Sequence, residues 1–351
     1  MRRLGVLAAA FLVVLAACGE GDGGGGGGDQ PQPVGAGGDK AQASCDSVAF
    51  EGDATPRIAY MPPATEFPYY LAIGEGIKAK ASDLDIETFM LAPQSGADIE
   101  GQMGMIQDVL TQDVDGIILS THDEQAAAPL VEQAVDAGVA VVIVNSDIAD
   151  FPTPIHGVVG YLQREGTAKI GDYALGLVDG TAKIGVIEGL PGYHSKERVG
   201  GFLDAIEGEK GMEVVESLVG DWNVEGGNRA GQDMLQANPD IEMIFAANDY
   251  MAIGADEAAD AMDQDVIILG NDGDTRALEE IDAGDWQATV MTHPFQMGEQ
   301  ALEVMVECLN KEFDGFFLEI PTTVVEKEDA IEFLCHPESL HPKPSKSYEC
   351  P

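Results

Sequence analysis

Positive charge is what this 351-residue chain has least of. It carries 18 Lys and Arg against 62 Asp and Glu, a formal net charge of −44. Phosphates would be repelled rather than neutralised, which excludes nucleic acid as a partner. Adhesion to anionic lipid through surface charge is disfavoured for the same reason. Acidity of this degree fits a protein kept soluble in concentrated salt and says little about fold. Cysteine is scarce, with five residues and no CxxC or Cys/His cluster, so no zinc site is expected. Long apolar runs are missing too: the longest, Leu4 to Ala17, is too short to span a membrane comfortably. Absent as well are a Gly-x-Ser-x-Gly elbow, a P-loop and a glycine fingerprint after the first strand. His194 and Ser195 are adjacent in sequence, which does not make a catalytic pair. No enzyme is expected and no cofactor is implied.

What is present begins with an address. Arg2 and Arg3 precede the apolar run, as in an export signal over residues 1–17. The run ends in Leu15-Ala16-Ala17-Cys18, which resembles a bacterial lipobox, with Cys18 the acylated residue. From Gly19 to Gly38 the chain is mostly Gly, Asp, Gln and Pro, a leash that cannot form a core. Residues 18–56 are therefore expected as a lipid-anchored tether. An exported protein with four further cysteines favours two disulfides. The four allow three connectivities. The preferred one is Cys308–Cys335 with Cys45–Cys350, the second pair tying down both tails.

From Arg57 onward strand and helix alternate. Short, wholly apolar runs such as Val139–Val144 suit a parallel sheet covered on both faces. About ten strands predict α/β architecture in two doubly wound lobes rather than one sheet. Ligands of such sheets bind at the carboxyl ends of strands. Those ends carry Phe67, Tyr69, Tyr70, Asn145, Arg198, Trp222, Asn248, Asp272 and Thr292. Aromatic rings stack on the C–H faces of a sugar, and Asp, Asn and Arg bind adjacent hydroxyls. Asn248 is expected to bind and Asp249 to cap the following helix. Asp272-Gly273-Asp274 lacks the ligand series of a calcium loop.

Five segments carry a resemblance in the correct order. They are Phe67-Pro68-Tyr69-Tyr70, Asp115-Gly116-Ile117-Ile118, Lys196 to Phe202, Phe245 to Ala255, and Ile268 to Gly273. Over Arg57 to Glu326 the chain resembles the ribose-binding-like family of type I periplasmic sugar-binding proteins. The resemblance implies two lobes joined by three crossovers. It places a first lobe at 57–160 plus 293–320, a second at 161–292 plus 321–334, and a tail at 335–351. It implies a monomer that captures a monosaccharide or sugar-like molecule and hands it to an ABC transporter permease. A sensory receptor presenting the same ligand to a chemoreceptor or sensor kinase is the alternative. Arg198 would clamp the sugar, Trp222 would oppose Tyr69 and Tyr70, and Asn248 and Asp272 would bind ring hydroxyls. Phe67 stands where the family often has a polar residue. Asn145 and Ser146 stand where it commonly has Asp and Arg, and Thr292 where ribose receptors often carry Gln. An Asp–Arg pair is lost and apolar surface gained, which points to a different sugar or a less polar, polyol-like ligand.

Overall fold

A computed structural model of the chain describes residues 33–34, 42–52 and 54–350. The export signal, Cys18 and most of the expected tether lie outside the described residues.

The first sheet is fed by β1 (Pro33–Val34), β2 (Arg57–Met61), β3 (Glu87–Met90), β4 (Gly116–Leu119), β5 (Ala140–Val144) and β6 (Gly157–Gly160). Between them run α1 (Pro68–Leu84), α2 (Ile99–Val109) and α3 (Glu124–Asp136). The chain then crosses into α4 (Gln163–Leu177), β7 (Thr181–Glu188), α5 (Tyr193–Ile206), β8 (Gly211–Val219), α6 (Val224–Ala237) and β9 (Met243–Ala246). It continues through α7 (Asp249–Ala261), β10 (Ile267–Asp272), α8 (Thr275–Ala283) and β11 (Ala288–Met291). A return crossing brings α9 (Pro294–Leu309) and β12 (Phe317–Glu319) to the first sheet. A last crossing leads to β13 (Thr323–Glu326) and α10 (Lys327–Leu334) on the second.

Strand order is β1-β12-β6-β5-β4-β2-β3 in one sheet and β13-β11-β10-β9-β7-β8 in the other. Pairing is parallel except for β1 on β12 and β13 on β11. The result is two doubly wound, parallel-dominated lobes. Every residue of β5 and of β9 is buried, as expected for strands with helices on both faces. Such strands read as apolar runs, and the sequence placed them within a residue or two. It missed α4, whose buried face is Gln163, Gly166, Thr167, Ile170, Gly171 and Ala174. Small and polar residues on the packed face leave no apolar period to read.

Two sequence expectations are corrected. The tether does not extend to residue 56. Ala43 N–H donates to the Ile155 carbonyl at 2.7 Å and Ala49 N–H to the Gly138 carbonyl at 2.8 Å, so this segment is built onto the first lobe. The disulfides are Cys45–Cys308 and Cys335–Cys350, with Cα separations of 5.1 and 5.6 Å, not Cys308–Cys335 and Cys45–Cys350. The reason is topological. Cys308 is buried near the end of α9 on the first lobe, where the docked N-terminal segment brings Cys45. Cys335 ends α10 on the second lobe, and the tail folds back along α8, with the Ser345 amide donating to Glu279 at 2.7 Å. A Cys308–Cys335 bridge would have had to link the two lobes.

Candidate functional site

The carboxyl ends of the parallel strands supply a single cleft between the lobes. Phe67 precedes α1, and Tyr69 and Tyr70 open it. His122 follows β4 and Asn145 follows β5; His194 and Arg198 lie on α5, and Trp222 follows β8. Asn248 and Tyr250 start α7, and Asp272 ends β10. All eleven of these residues line one cavity of about 30 Å³, room for about two waters. The backbone at three strand ends is left-handed or strained, with φ of 62° at Asn145 after β5, 56° at Asp221 and 63° at Trp222 after β8, and 133° at Asp272 in β10. For a bulky tryptophan this conformation is a true outlier, and such strain gathers at ligand sites.

On the first-lobe wall, the Tyr69 hydroxyl lies 3.0 Å from both Asn145 Oδ1 and Thr292 Oγ1. Asn145 Nδ2 donates to the Tyr70 hydroxyl at 3.4 Å. Rings of Phe67, Tyr70 and His122 meet at centroid distances of 5.9 to 6.3 Å. Burial pushes His122 down to about 4, so its ring is neutral at pH 7.

The second-lobe wall is organised by Arg198. Its Nη1 donates to Asp272 Oδ1 at 2.8 Å and to the Ala247 carbonyl at 3.0 Å. Its guanidinium lies 5.4 Å from the Trp222 ring and 5.7 Å from the Tyr161 ring, both cation–π distances. Burial pushes Asp272 up to about 6, against the pull of Arg198. Trp222 is 7% exposed and presses on Gly189, where a Cβ would stand 2.0 Å from the indole. Only glycine leaves room for the ring there. His194 pairs with Gln163 rather than Ser195, whose hydroxyl donates to the Gly189 carbonyl, so the two do not form a nucleophile–base pair. Among the described residues no cluster of three or more His, Cys, Asp or Glu could hold a metal.

The family model described as a periplasmic binding protein domain matches residues 58–313. The chain belongs to that family. It is 28% identical over 247 residues to the ribose import binding protein of Bacillus subtilis, covering 69% of this chain and 78% of that one. A solved ABC transporter periplasmic solute binding protein from Actinobacillus succinogenes, with bound D-allose, superposes with a TM-score of 0.74 at 25% identity. That match covers 79% of this chain and 99% of the other. A solute binding protein from Mycobacterium smegmatis with bound glycerol gives a TM-score of 0.75 at 25% identity, covering 85% and 100%.

Eight of the nine residues expected from sequence converge on the cavity: Phe67, Tyr69, Tyr70, Asn145, Arg198, Trp222, Asn248 and Asp272. Thr292 does not line it. It is fully buried behind Tyr69, and its hydroxyl donates to the Asp272 carbonyl at 3.0 Å, so it positions rather than contacts. Asn248 and Asp249 exchange one expected role. Asn248 Oδ1 caps α7 by accepting from the Met251 amide, while Asp249 is buried and accepts from the amides of Gly273 and Asp274. His122, His194 and Tyr250 were not singled out as site residues. The signal was available for His122, three residues past a buried strand.

Proposed function

We propose that this protein is an extracytoplasmic receptor that captures a sugar or sugar-like molecule between its lobes and delivers it to an ABC importer. The observation that carries this reading is the Arg198–Asp272 pair set beside Trp222 and across the cleft from Tyr69 and Tyr70. A buried charged fork recognises hydroxyls directionally, and the rings cover the C–H faces between them. The named ligands of similar proteins support the same class. The cavity is far smaller than a monosaccharide, so ligand enters as the lobes part and is enclosed as they close. Binding energy then drives closure, and the closed form is what a permease would recognise. A binding role is supported by the pairing of His194 with Gln163 and of Ser195 with the Gly189 carbonyl, which keeps these two neighbours from acting on one another. Residues 1–17 direct export, and Cys18 bears the lipid that keeps the receptor at the membrane.

The test is calorimetric titration of the mature chain with pentoses, hexoses and polyols. Saturable one-to-one binding of a carbohydrate, abolished or strongly weakened by Arg198→Met, is expected. Absence of binding by every carbohydrate would refute the reading.

A further inference from the structure

The two walls of the cleft differ in what they leave for a ligand. On the first lobe most polar atoms are paired with one another, the Tyr70 O–H being left as a donor. Asn145, 1% exposed, has its side-chain oxygen on the Tyr69 hydroxyl, its side-chain nitrogen on the Tyr70 hydroxyl, and its carbonyl accepting from Gln163. The Tyr69 hydroxyl is occupied again by Thr292. His122 turns Nδ1 toward the Gly96 carbonyl at 3.3 Å. What remains toward the ligand is a cup of three rings, Phe67, Tyr70 and His122, inclined to one another by 58° to 61°. Its own polar atoms are the Tyr70 hydroxyl, which accepts from Asn145 Nδ2, and His122 Nε2, which has no hydrogen-bond partner among the described residues. The cup is a built feature. A Cβ at Gly96 would stand 2.5 Å from the Phe67 ring and 3.1 Å from His122, so bare backbone is what lets the rings meet. On the second lobe the opposite holds. Arg198 Nη2, Asp272 Oδ2 and His194 Nε2 have no hydrogen-bond partner among the described residues, while the other polar atoms of Arg198 and Asp272 are already anchored. Hydrogen-bonding capacity is therefore concentrated on one side, and ring surface on the other.

We propose, on the basis of the sugar-receptor function above, that the ligand is a deoxy sugar: its hydroxyls gather on the edge facing Arg198 and Asp272, and a methyl or methylene replaces a hydroxyl in the Phe67–Tyr70–His122 cup. A fully hydroxylated sugar in the same pose would bury a hydroxyl against three rings, with only the Tyr70 hydroxyl and His122 Nε2 to pair with it. Burying a polar group without partners weakens binding by about tenfold to a hundredfold. A methyl in the cup gains ring contact instead.

Matched pairs differing by one oxygen test this on the mature chain by calorimetry: L-fucose against L-galactose, L-rhamnose against L-mannose, and 5-deoxy-D-ribose against D-ribose. In the tightest-binding pair, the deoxy member should bind at least about tenfold more tightly. Phe67→Asn, which puts an amide into the cup, should erase or reverse that preference. Equal or tighter binding of the hydroxylated partner overturns the proposal and leaves the sugar-receptor function standing. So does binding confined to fully hydroxylated pentoses, hexoses or inositols. No saturable binding by any carbohydrate refutes both.

Discussion

Gly189→Ala adds a single methyl group, and its effect should reach the ligand through Trp222. Gly189 follows β7, and no left-handed φ is required of it, so the backbone tolerates alanine. The obstacle is the indole. An added Cβ would lie 2.0 Å from Trp222 Cε2 and Cζ2, where ordinary contact begins near 3.4 Å, so the ring must retreat by about 1.4 Å. The Arg198 guanidinium now sits 5.4 Å from that ring, and a retreat of this size carries the pair past the roughly 6 Å limit of a useful cation–π contact. Loss of that contact and of one stacking face should weaken ligand binding by about 1–2 kcal/mol, or roughly fivefold to thirtyfold. Overpacking should cost about 1–3 kcal/mol of stability in addition. Gly176→Ala serves as the control, because nothing lies within 4 Å of a Cβ there and α4 should gain about 0.5–1 kcal/mol. Titration with the identified ligand reads affinity. Intrinsic emission reads the ring directly, since the chain has two tryptophans and the other, Trp286, is buried elsewhere in the second lobe. Affinity within twofold of the parent, with unchanged emission, would refute the view that Gly189 holds Trp222 against Arg198.

Three further outcomes are expected. Arg198→Met should cost about 3–5 kcal/mol of stability by stranding the buried Asp272 carboxylate, and Asp272→Asn added to it should recover part of the stability but none of the binding; thermal unfolding and calorimetry separate the two. Affinity should fall as pH drops through about 6, because the ligand is bound by the ionised Asp272 and protonation removes its acceptor. Stability carries opposing proton linkages: the raised Asp272 makes the fold bind protons between pH 6 and 4 and favours it there, whereas His122 and His156, pushed down to about 4, stay neutral in the fold while the unfolded chain takes up protons below pH 6.5. Eight carboxyls, Asp272 among them, are raised by burial against four histidines that are lowered, so melting temperature should hold or rise as pH falls from 6.5 to 4, and a steep decline would contradict the burial of these carboxyls. Peptide mapping under non-reducing conditions should recover Cys45 with Cys308 and Cys335 with Cys350, and replacing Cys335 and Cys350 by serine should cost up to about 3 kcal/mol for a loop with a 15-residue separation.

Much of the fold and site was legible because it is locally encoded. Strands buried on both faces must be apolar along their whole length, so β4, β5 and β9 announce themselves, and the residue after each is fixed in space by the sheet. That rule collects Asn145 after β5 and Asn248 after β9 into one cleft, beside Asp272 at the end of β10.

What the linear order left open depends on approach between distant segments. The disulfides are decided by which lobe each cysteine's element joins, and nothing near Cys45 in sequence says that it docks on the end of α9, 263 residues away. Thr292 stands at a strand end like its neighbours, yet the Tyr69 ring covers it, because Tyr69 also needs Asn145 on its other side. Asn248 and Asp249 are both suitable caps; the buried amides of Gly273 and Asp274 take Asp249, and the cap falls to Asn248. The asymmetry of the cleft belongs to the same class: composition shows aromatics and polar groups, while only their mutual distances decide that one wall spends its hydrogen bonds internally and the other offers them to a ligand.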